Sequence, residues 1–576
     1  MFSEKANIRK LIRNPYLQIL VVALAILACY LHTLTAPWYY DDFNNIYENI
    51  DIRSLSHSIK NLFKNRGLAY LTFSLNYFIS GLDTTSYHLT NILIHIGASV
   101  SVYLLLKIIW DKSNWIPVVG TLFFAIHPIQ TQAVTYIVQR MTSLYALLFL
   151  LSLICFVYAK KTYKSAGKLA DKKHILFYGT SLILGFSSGL SKENAALLPF
   201  CILAFDFFIL EKGKKYKWSN FIYILPFFST TIFLVLQQFL AGESTLHKTE
   251  IKYYYHETNS GSYRLTFGDS SVWRFHYLFT QFIIVWKYVR LYFWPIDQIL
   301  DYGHPLVKNL YNFRSIVGLS GICLSIATTF ILRKKSPIIA LGITWYFLTI
   351  SLESSIFPLD VMYEHRLYLP SLGLIIVFLG FTNQYLPKIR PQLFLPLLVI
   401  LAILTVQRNQ MWNDPVLFWS KNAKLTPHNH RPHNHLYLYL MGEGNYAEAL
   451  NEAKIATNLL PSAKHYFTLA TAYYRLGQLE PAKNSVEFSL KAFPNMPDYL
   501  NLYAMILGDL GDFTKSLEYA QRAVTAAPDR IQLYAYLGYA QARAGKWEEA
   551  IRTMQYVITF DPQNTLALEI LQKFRK

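Results

Sequence analysis

Apolar runs recur along the first 406 residues, at 16–34, 86–110, 116–138, 142–159, 175–190, 195–210, 219–239, 312–332, 337–352, 369–386 and 392–406. Each approaches the roughly 20 residues that an α-helix needs to cross a hydrocarbon core about 30 Å thick. The pattern predicts about eleven membrane-spanning helices. Several runs contain Pro or polar residues, so they are expected to pack on protein as well as lipid. A further stretch, 275–294, carries Gln281, Lys287 and Arg290. It is predicted as an interfacial or re-entrant helix on the outer side.

Beyond residue 406 the pattern changes. Pro427, Pro461, Pro494, Pro528 and Pro562 recur every 33 or 34 residues. Gly444, Gly477, Gly511 and Gly545 keep the same register, each followed by a small residue (Ala449, Ala482, Ser516, Ala550). This is the period of the tetratricopeptide repeat (TPR), with the glycine at the turn between two helices and the small residue at their contact. Four units are legible. The expected fold is all-α, a polytopic membrane bundle followed by a TPR solenoid. The expected domains are 1–406 (membrane), 407–430 (linker and lead-in to the first repeat) and 431–576 (repeats).

Charge supports a membrane assignment and argues against nucleic acid. The net charge is +19, yet 427–576 holds 15 Lys/Arg against 14 Asp/Glu, so the excess lies in short loops between apolar runs. That is a positive-inside distribution rather than a phosphate-binding face. With Lys5, Arg9, Lys10 and Arg13 in the cytoplasm, eleven spans also put Lys160–Lys173, Lys212–Lys217, Arg333–Lys335 and Lys388–Arg390 there. The same count sends the loop 36–86, the loop 241–272, the segment 353–369 and the repeats to the outer face. The first apolar run is long enough to be a retained span rather than a cleaved signal peptide. Cys29, Cys155, Cys201 and Cys323 all lie in apolar runs, which predicts neither disulfides nor a cysteine zinc site.

Polar residues at the outer edge carry the candidate chemistry. Asp41 and Asp42 follow the first span at once; adjacent carboxylates raise each other's pKa and suit proton transfer or cation binding, while the competing reading is a helix N-cap pair. His127-Pro128 with Gln130, Gln132 and Arg140 marks a cavity or interhelical hydrogen bonding. Ser191-Lys192-Glu193-Asn194 leaves Lys192 and Glu193 at the membrane edge, where they line a site or snorkel. Glu353 opens a segment that ends with Glu364, His365 and Arg366, a grouping suited to a lipid phosphate or to headgroups. His428, His430, His433 and His435 flank Pro432 at poor spacing for one helical face, which argues against a metal site.

In order along the chain, YDDFNNI (40–46), NRGLAYLTFSLNYFISG (65–81), YHLTNILIH (87–95), HPIQTQAVTYIVQRMTSL (127–144), LSKENAALLPF (190–200), WPIDQILDYGHP (294–305), ESSIFPLDVMYEHRLYLPSLG (353–373) and QRNQMWNDPVLFWSKNAKLTPHN (407–429) resemble the transmembrane-and-TPR family of O-mannosyltransferases (TMTC), especially bacterial members. The resemblance covers nearly the whole chain. It implies a GT-C-like glycosyltransferase that takes a sugar from a polyprenyl phosphate donor and acts on the outer side of the membrane, here a bacterial inner membrane with the repeats in the periplasm. It places the catalytic carboxylate on Asp41 or Asp42. One position departs, since animal members commonly have Glu where this chain has Gln132.

Transfer from a lipid phosphate to a Ser/Thr hydroxyl needs a base and a neutralised leaving phosphate. The expected roles are Asp41 as base, with Asp42 orienting it or holding a divalent cation. Arg66, Arg140, Lys192, His365 and Arg366 are expected on the phosphate, with Glu193, Glu353 and Glu364 as supporting carboxylates. TPR arrays present a concave groove to extended polypeptides. Tyr466, Tyr473, Tyr499, Tyr503 and Tyr536, on the first helices of the repeats, are the expected contacts to a protein acceptor, with Tyr474, Tyr534 and Tyr539 nearby. The rival readings are a non-catalytic TPR scaffold for an envelope or secretion complex, which has no need of the Asp pair, and a transporter, which would carry charges mid-span.

Overall fold

The computed structural model describes residues 14–166, 171–213, 216, 218–240, 254–257, 263–266, 270–357 and 359–573. The N-terminal basic residues, Lys168, Lys214, Lys215, Lys217 and most of the loop 241–272 lie outside them. The chain divides into two compact units, Met1–Tyr254 with Phe267–Asp414, and Tyr255–Thr266 with Pro415–Lys576. Apart from one two-stranded sheet, Tyr254–Glu257 with Tyr263–Thr266, the described secondary structure is helical.

Among the described residues of the first unit, seven helices are long and apolar enough to cross a membrane: Pro15–Thr33, Thr84–Ile109, Ile137–Tyr163, Glu193–Leu210, Trp218–Gln237, Phe313–Lys335 and Pro391–Met411. Three shorter apolar helices, Ile116–Ala125, Pro337–Ile350 and Ser371–Tyr385, coincide with further runs, and the run 175–190 lies in the helix Lys172–Gly189. The run 116–138 is not one helix. It stops at Ala125 and continues as a 3-10 turn, Pro128–Gln130, and a single α turn, Thr131–Val134. The cause is Pro128, which has no N–H and biases His127 to extended backbone; the His127 side chain accepts the Ile129 N–H instead. Irregular backbone of this kind is tolerated where protein buries it, and 128–134 is buried throughout.

The helix Ser270–Phe293 is continuous, and its hydrogen bonds say how it runs. The Tyr277 hydroxyl donates to Glu353 O, the Gln281 amide to Val361 O and the Tyr288 hydroxyl to Tyr363 O, while Tyr292 O meets His127 Nε2. It also runs beside Phe313–Lys335, where Ser315 Oγ donates to Phe279 O at 3.0 Å and Trp286 Nε1 to Gly318 O at 2.9 Å.

Pro337–Ile350 and Ser371–Tyr385 meet backbone to backbone through Gly342 and Gly373. A Cβ on Gly373 would stand 2.6 Å from Tyr346 N and 2.7 Å from Gly342 O. Close approach through small residues is a favoured contact between membrane helices. Gly373→Ala is expected to cost ~1–3 kcal/mol through overpacking. It should lower the thermal midpoint in detergent, while Gly179→Ala, with nothing within 4 Å of the new methyl, leaves it unchanged or higher.

The second unit begins with the helix Pro415–Leu425 and continues as four helix pairs, His430–Gly442 with Tyr446–Leu459, Ala463–Arg475 with Leu479–Ala492, Pro497–Asp509 with Phe513–Ala526, and Ile531–Arg543 with Trp547–Phe560, before Thr565–Lys573. Gly444, Gly477, Gly511 and Gly545 have φ of 81°, 71°, 91° and 79°, the left-handed conformation that ends each first helix. Ala449, Ala482, Ser516 and Ala550 are buried where the helices of each pair touch.

Candidate functional site

The acidic pair divides between two roles. Tyr40, at φ 40°, turns the chain sharply after the first helix and presents Asp41 and Asp42. Asp42 is 1% exposed, and each of its oxygens accepts a backbone N–H, Oδ2 from Tyr39 at 3.0 Å and Oδ1 from Val138 at 2.7 Å. It thereby fastens the first loop to the start of the Ile137–Tyr163 helix. Burial pushes its carboxyl up to about 8, against the two N–H donors, with Asp41 pushing the same way. Asp41 is half-buried. Its backbone is held by Tyr136, whose hydroxyl accepts the Asp41 N–H at 2.7 Å, and by Asn45, whose amide donates to Asp41 O at 2.8 Å. Tyr136 stacks on the buried Trp412, and Tyr39 donates its hydroxyl to Trp412 O. The backbone of the half-buried Asp41 thus rests on a buried aromatic pair, Tyr136 and Trp412.

A second group gathers Lys192, Glu353 and Arg366. Lys192 Nζ lies 2.9 Å from Glu353 Oε1 and donates to Thr142 Oγ1 at 3.1 Å, with both partners of the ion pair buried. Burial lowers the Lys192 ammonium below its usual range, and Glu353 offsets this only in part. Burial would raise Glu353, but Lys192 and Arg366 outweigh it and hold the carboxyl low. Two polar atoms are left without partners in this buried cluster, Glu353 Oε2 and Arg366 Nε. Among the described residues the hydrogen bonds of Arg366 are long, 3.5 Å to the Tyr277 hydroxyl and 3.4 Å to Val361 O, and its guanidinium lies 5.7 Å from the Tyr363 ring centroid. Buried polar groups in folded proteins are mostly hydrogen-bonded, so these two atoms have room for a further polar partner, a water or a ligand group. Arg66, itself at φ 57°, forks onto Glu193 at 3.0 and 3.2 Å and stays partly open to solvent.

His365 joins the two groups. Its ring stacks on Tyr363, and Lys192, Arg366 and Arg66 are the charges around it. Tyr363 in turn is within electrostatic range of the carboxylates of Asp360, Asp301 and Asp41.

The remaining residues expected at the site are held by the protein itself. Arg140 is fully buried; its Nε donates to Asn91 Oδ1 at 2.6 Å, its other nitrogens to Thr72 Oγ1 and Tyr87 O, and Phe73 covers it at 4.5 Å. Glu364 accepts from Ile299 N–H and the Tyr302 hydroxyl, both at 2.8 Å, from Gln298 at 3.3 Å and from Arg408 at 2.9 Å. It anchors the loop 298–302. Arg408, Tyr136, Tyr363 and Asp301 were not singled out from sequence. Arg408, a charge just past the last apolar run, carried the signal that such residues carry function or structure.

In the repeats, Tyr499 packs on Phe467, and Tyr503 donates its hydroxyl to Glu487 at 2.7 Å; both are buried within the array. Tyr466 covers Phe488 at 3.9 Å, and Tyr473 lies 5.5 Å from Lys454 Nζ. Tyr536 is half-buried and lies with Tyr539 near Tyr474, whose hydroxyl donates to Asp509 at 2.8 Å. These residues come from three successive first helices, the elements that line a TPR groove. His433 bonds Glu452 and His430 meets His465. Among the described residues no three His, Cys, Asp or Glu side chains are grouped to hold a metal ion.

Fold and site together define a membrane protein with several apolar helices of spanning length and a C-terminal repeat array. The array matches the tetratricopeptide repeat model at residues 467–531 and 504–565. The chain is 24% identical over 496 residues to protein O-mannosyl-transferase TMTC1 of Homo sapiens, covering 78% of this chain and 55% of that protein. It is 23% identical over 556 residues to the Homo sapiens protein TMTC3, covering 84% and 57%, and 33% identical over 203 residues to TMTC2, covering 33% and 24%. It thus spans little more than half the length of the relatives it matches most broadly. Among solved structures it is similar to YrrB, described as "a TPR protein with an unusual peptide-binding site", at 17% identity and TM-score 0.24, covering 27% of this chain and 80% of that one.

Proposed function

We propose that the chain is an integral membrane glycosyltransferase of GT-C type that moves a hexose, mannose by analogy with its relatives, from a polyprenyl-linked phosphate to a Ser/Thr hydroxyl of a protein. In this reading residues 1–406 form the catalytic membrane domain and 407–430 lead into the array. Residues 431–576 bind the acceptor in the periplasm of a bacterium. The observation that carries the reading is the buried cluster of Lys192, Glu353 and Arg366 with its two unpartnered polar atoms, beside His365 and Tyr363 and within electrostatic range, at Tyr363, of the half-buried Asp41.

Asp41 takes the proton of the acceptor hydroxyl as its oxygen bonds the anomeric carbon. The bond from that carbon to the phosphate oxygen breaks, and the lipid phosphate leaves with the electron pair, its charge met by Arg366 and Lys192. Arg66 with Glu193 borders this side. Asp42, with both oxygens on backbone N–H groups, orients Asp41.

The test is mass spectrometry of envelope proteins from cells with and without the gene, where loss of a hexose modification is expected. A chain lacking Pro461–Lys576 should lose most acceptor use and still bind donor lipid. Equal loss of both would count against the assignment of the array. A scaffold would leave the modification unchanged.

A further inference from the structure

Gln132 is fully buried on the short turn beyond Pro128. Two backbone groups orient its amide. Oε1 accepts the His365 N–H at 2.6 Å, and Nε2 donates to Leu300 O at 3.3 Å. A backbone N–H only donates and a carbonyl only accepts, so the oxygen must face His365. The same Oε1 lies 3.1 Å from His365 Nδ1. An amide oxygen cannot donate, so Nδ1 carries the hydrogen, and in the neutral ring Nε2 is left as a bare lone pair. Nε2 has no hydrogen-bond partner among the described residues, and His365 keeps 7% of its surface exposed. The Tyr363 ring, 5.4 Å away and nearly coplanar, fixes the imidazole plane. Burial, with Lys192, Arg366 and Arg66 around the ring, holds it well below the usual imidazole range, so it stays neutral at neutral pH.

We infer that His365 is a hydrogen-bond acceptor for a substrate hydroxyl rather than a cation for the phosphate, and that Gln132 is the positioning residue that sets it in this form. The inference rests on the glycosyltransferase reading for the nature of its ligand. An imidazole lone pair accepts an O–H but repels the oxygens of a phosphate, so the division of labour follows: Arg366 and Lys192 meet the anion, and His365 meets a hydroxyl. That hydroxyl belongs either to the hexose of the donor or to the protein acceptor, there as a hydroxyl other than the reacting one, whose single hydrogen goes to Asp41.

The full chain, labelled with 15N-histidine and held in lipid nanodiscs, provides the test. His365 signals are assigned by their loss in His365→Gln. One protonated nitrogen at Nδ1 and one bare nitrogen at Nε2 are expected from about pH 6 to about pH 8. Gln132→Leu should abolish this preference, and Gln132→Glu should make both nitrogens protonated, because a carboxylate at Nδ1 favours imidazolium. A wild-type ring that is doubly protonated or protonated at Nε2 would overturn the inference. Mannosyl-phosphoryl-undecaprenol and a Ser/Thr-rich peptide, added separately, are expected to move the Nε2 signal with one of the two, which identifies the hydroxyl. Conversion to imidazolium by undecaprenyl phosphate alone, or no response to either probe, would overturn it. The tautomer measurement needs no turnover, so it stands or falls separately from an assay that finds no sugar transfer.

Discussion

Asp41→Asn is expected to reduce sugar transfer by about 10²–10⁴-fold, the range for losing a positioned general base, with normal yield of folded protein. Asp42→Asn is expected to do the reverse in order, damaging the fold first. The carboxamide keeps one acceptor and turns an NH₂ toward either the Tyr39 or the Val138 N–H, so a buried donor faces a donor. Leaving a buried group unsatisfied costs about 1–3 kcal/mol, and the first loop should loosen from residue 138. The pH response separates the two further. The Asp42 carboxyl is raised to about 8 by burial, so the folded chain holds a proton there that the unfolded chain has released. Its contribution to stability is fully present below the ordinary carboxyl range and is lost as pH rises through about 8. Thermal midpoints in detergent across this window should slope downward for the wild type, and Asp42→Asn should remove that part of the slope. If Asp41→Asn retained transfer at wild-type rate, the base assignment would fall.

The second large effect is expected at Lys192. Replacing it by Met leaves the buried Glu353 carboxylate with Arg366 as its remaining cation and Asn194 as a neutral donor, and with Oε2 already lacking a partner. Breaking one side of a buried ion pair typically costs about 3–5 kcal/mol. Lys192→Met should therefore fold poorly, and Lys192→Met with Glu353→Leu should recover much of the stability, since apolar replacement of both partners removes the stranded charge. Transfer should remain lost in the double variant, because the leaving phosphate lacks one of its cations. Recovery of transfer along with stability would show that the pair is architecture alone. Thermal melts and donor-lipid binding on the same preparations distinguish these outcomes.

The parts of this protein that sequence exposes are those with short-range signals. Apolar runs coincide with helices in the first unit, and the repeat period locates the turn glycines at positive φ. Even there one local chemistry outran the hydropathy, as Pro128 ends a run that composition alone reads as a span. At the site, residue type narrowed the candidates without ranking them. Arg140 and Arg366 look equivalent in sequence. One has every nitrogen on protein partners and the other has an orphan Nε. Glu353 and Glu364 differ in the same way, since Glu364 meets four donors while Glu353 leaves one oxygen bare. Of the tyrosines expected in the groove, Tyr499 and Tyr503 prove to be packing residues, and Tyr536 lies with Tyr474 and Tyr539 instead.

Sequence by itself determined the helical class, the change from membrane bundle to repeats, and the presence of acids and cations at the ends of apolar runs. These follow from periodicity, length and charge over stretches of tens of residues. Only the tertiary structure decided which of the two aspartates is buried, which guanidinium is unsatisfied and which nitrogen of His365 is bare. Each answer depends on a partner far along the chain, Val138 for Asp42, Glu353 for Lys192 and Gln132 for His365. Hydrogen-bond satisfaction in a buried site is settled by who arrives from elsewhere in the chain, and no local pattern encodes that.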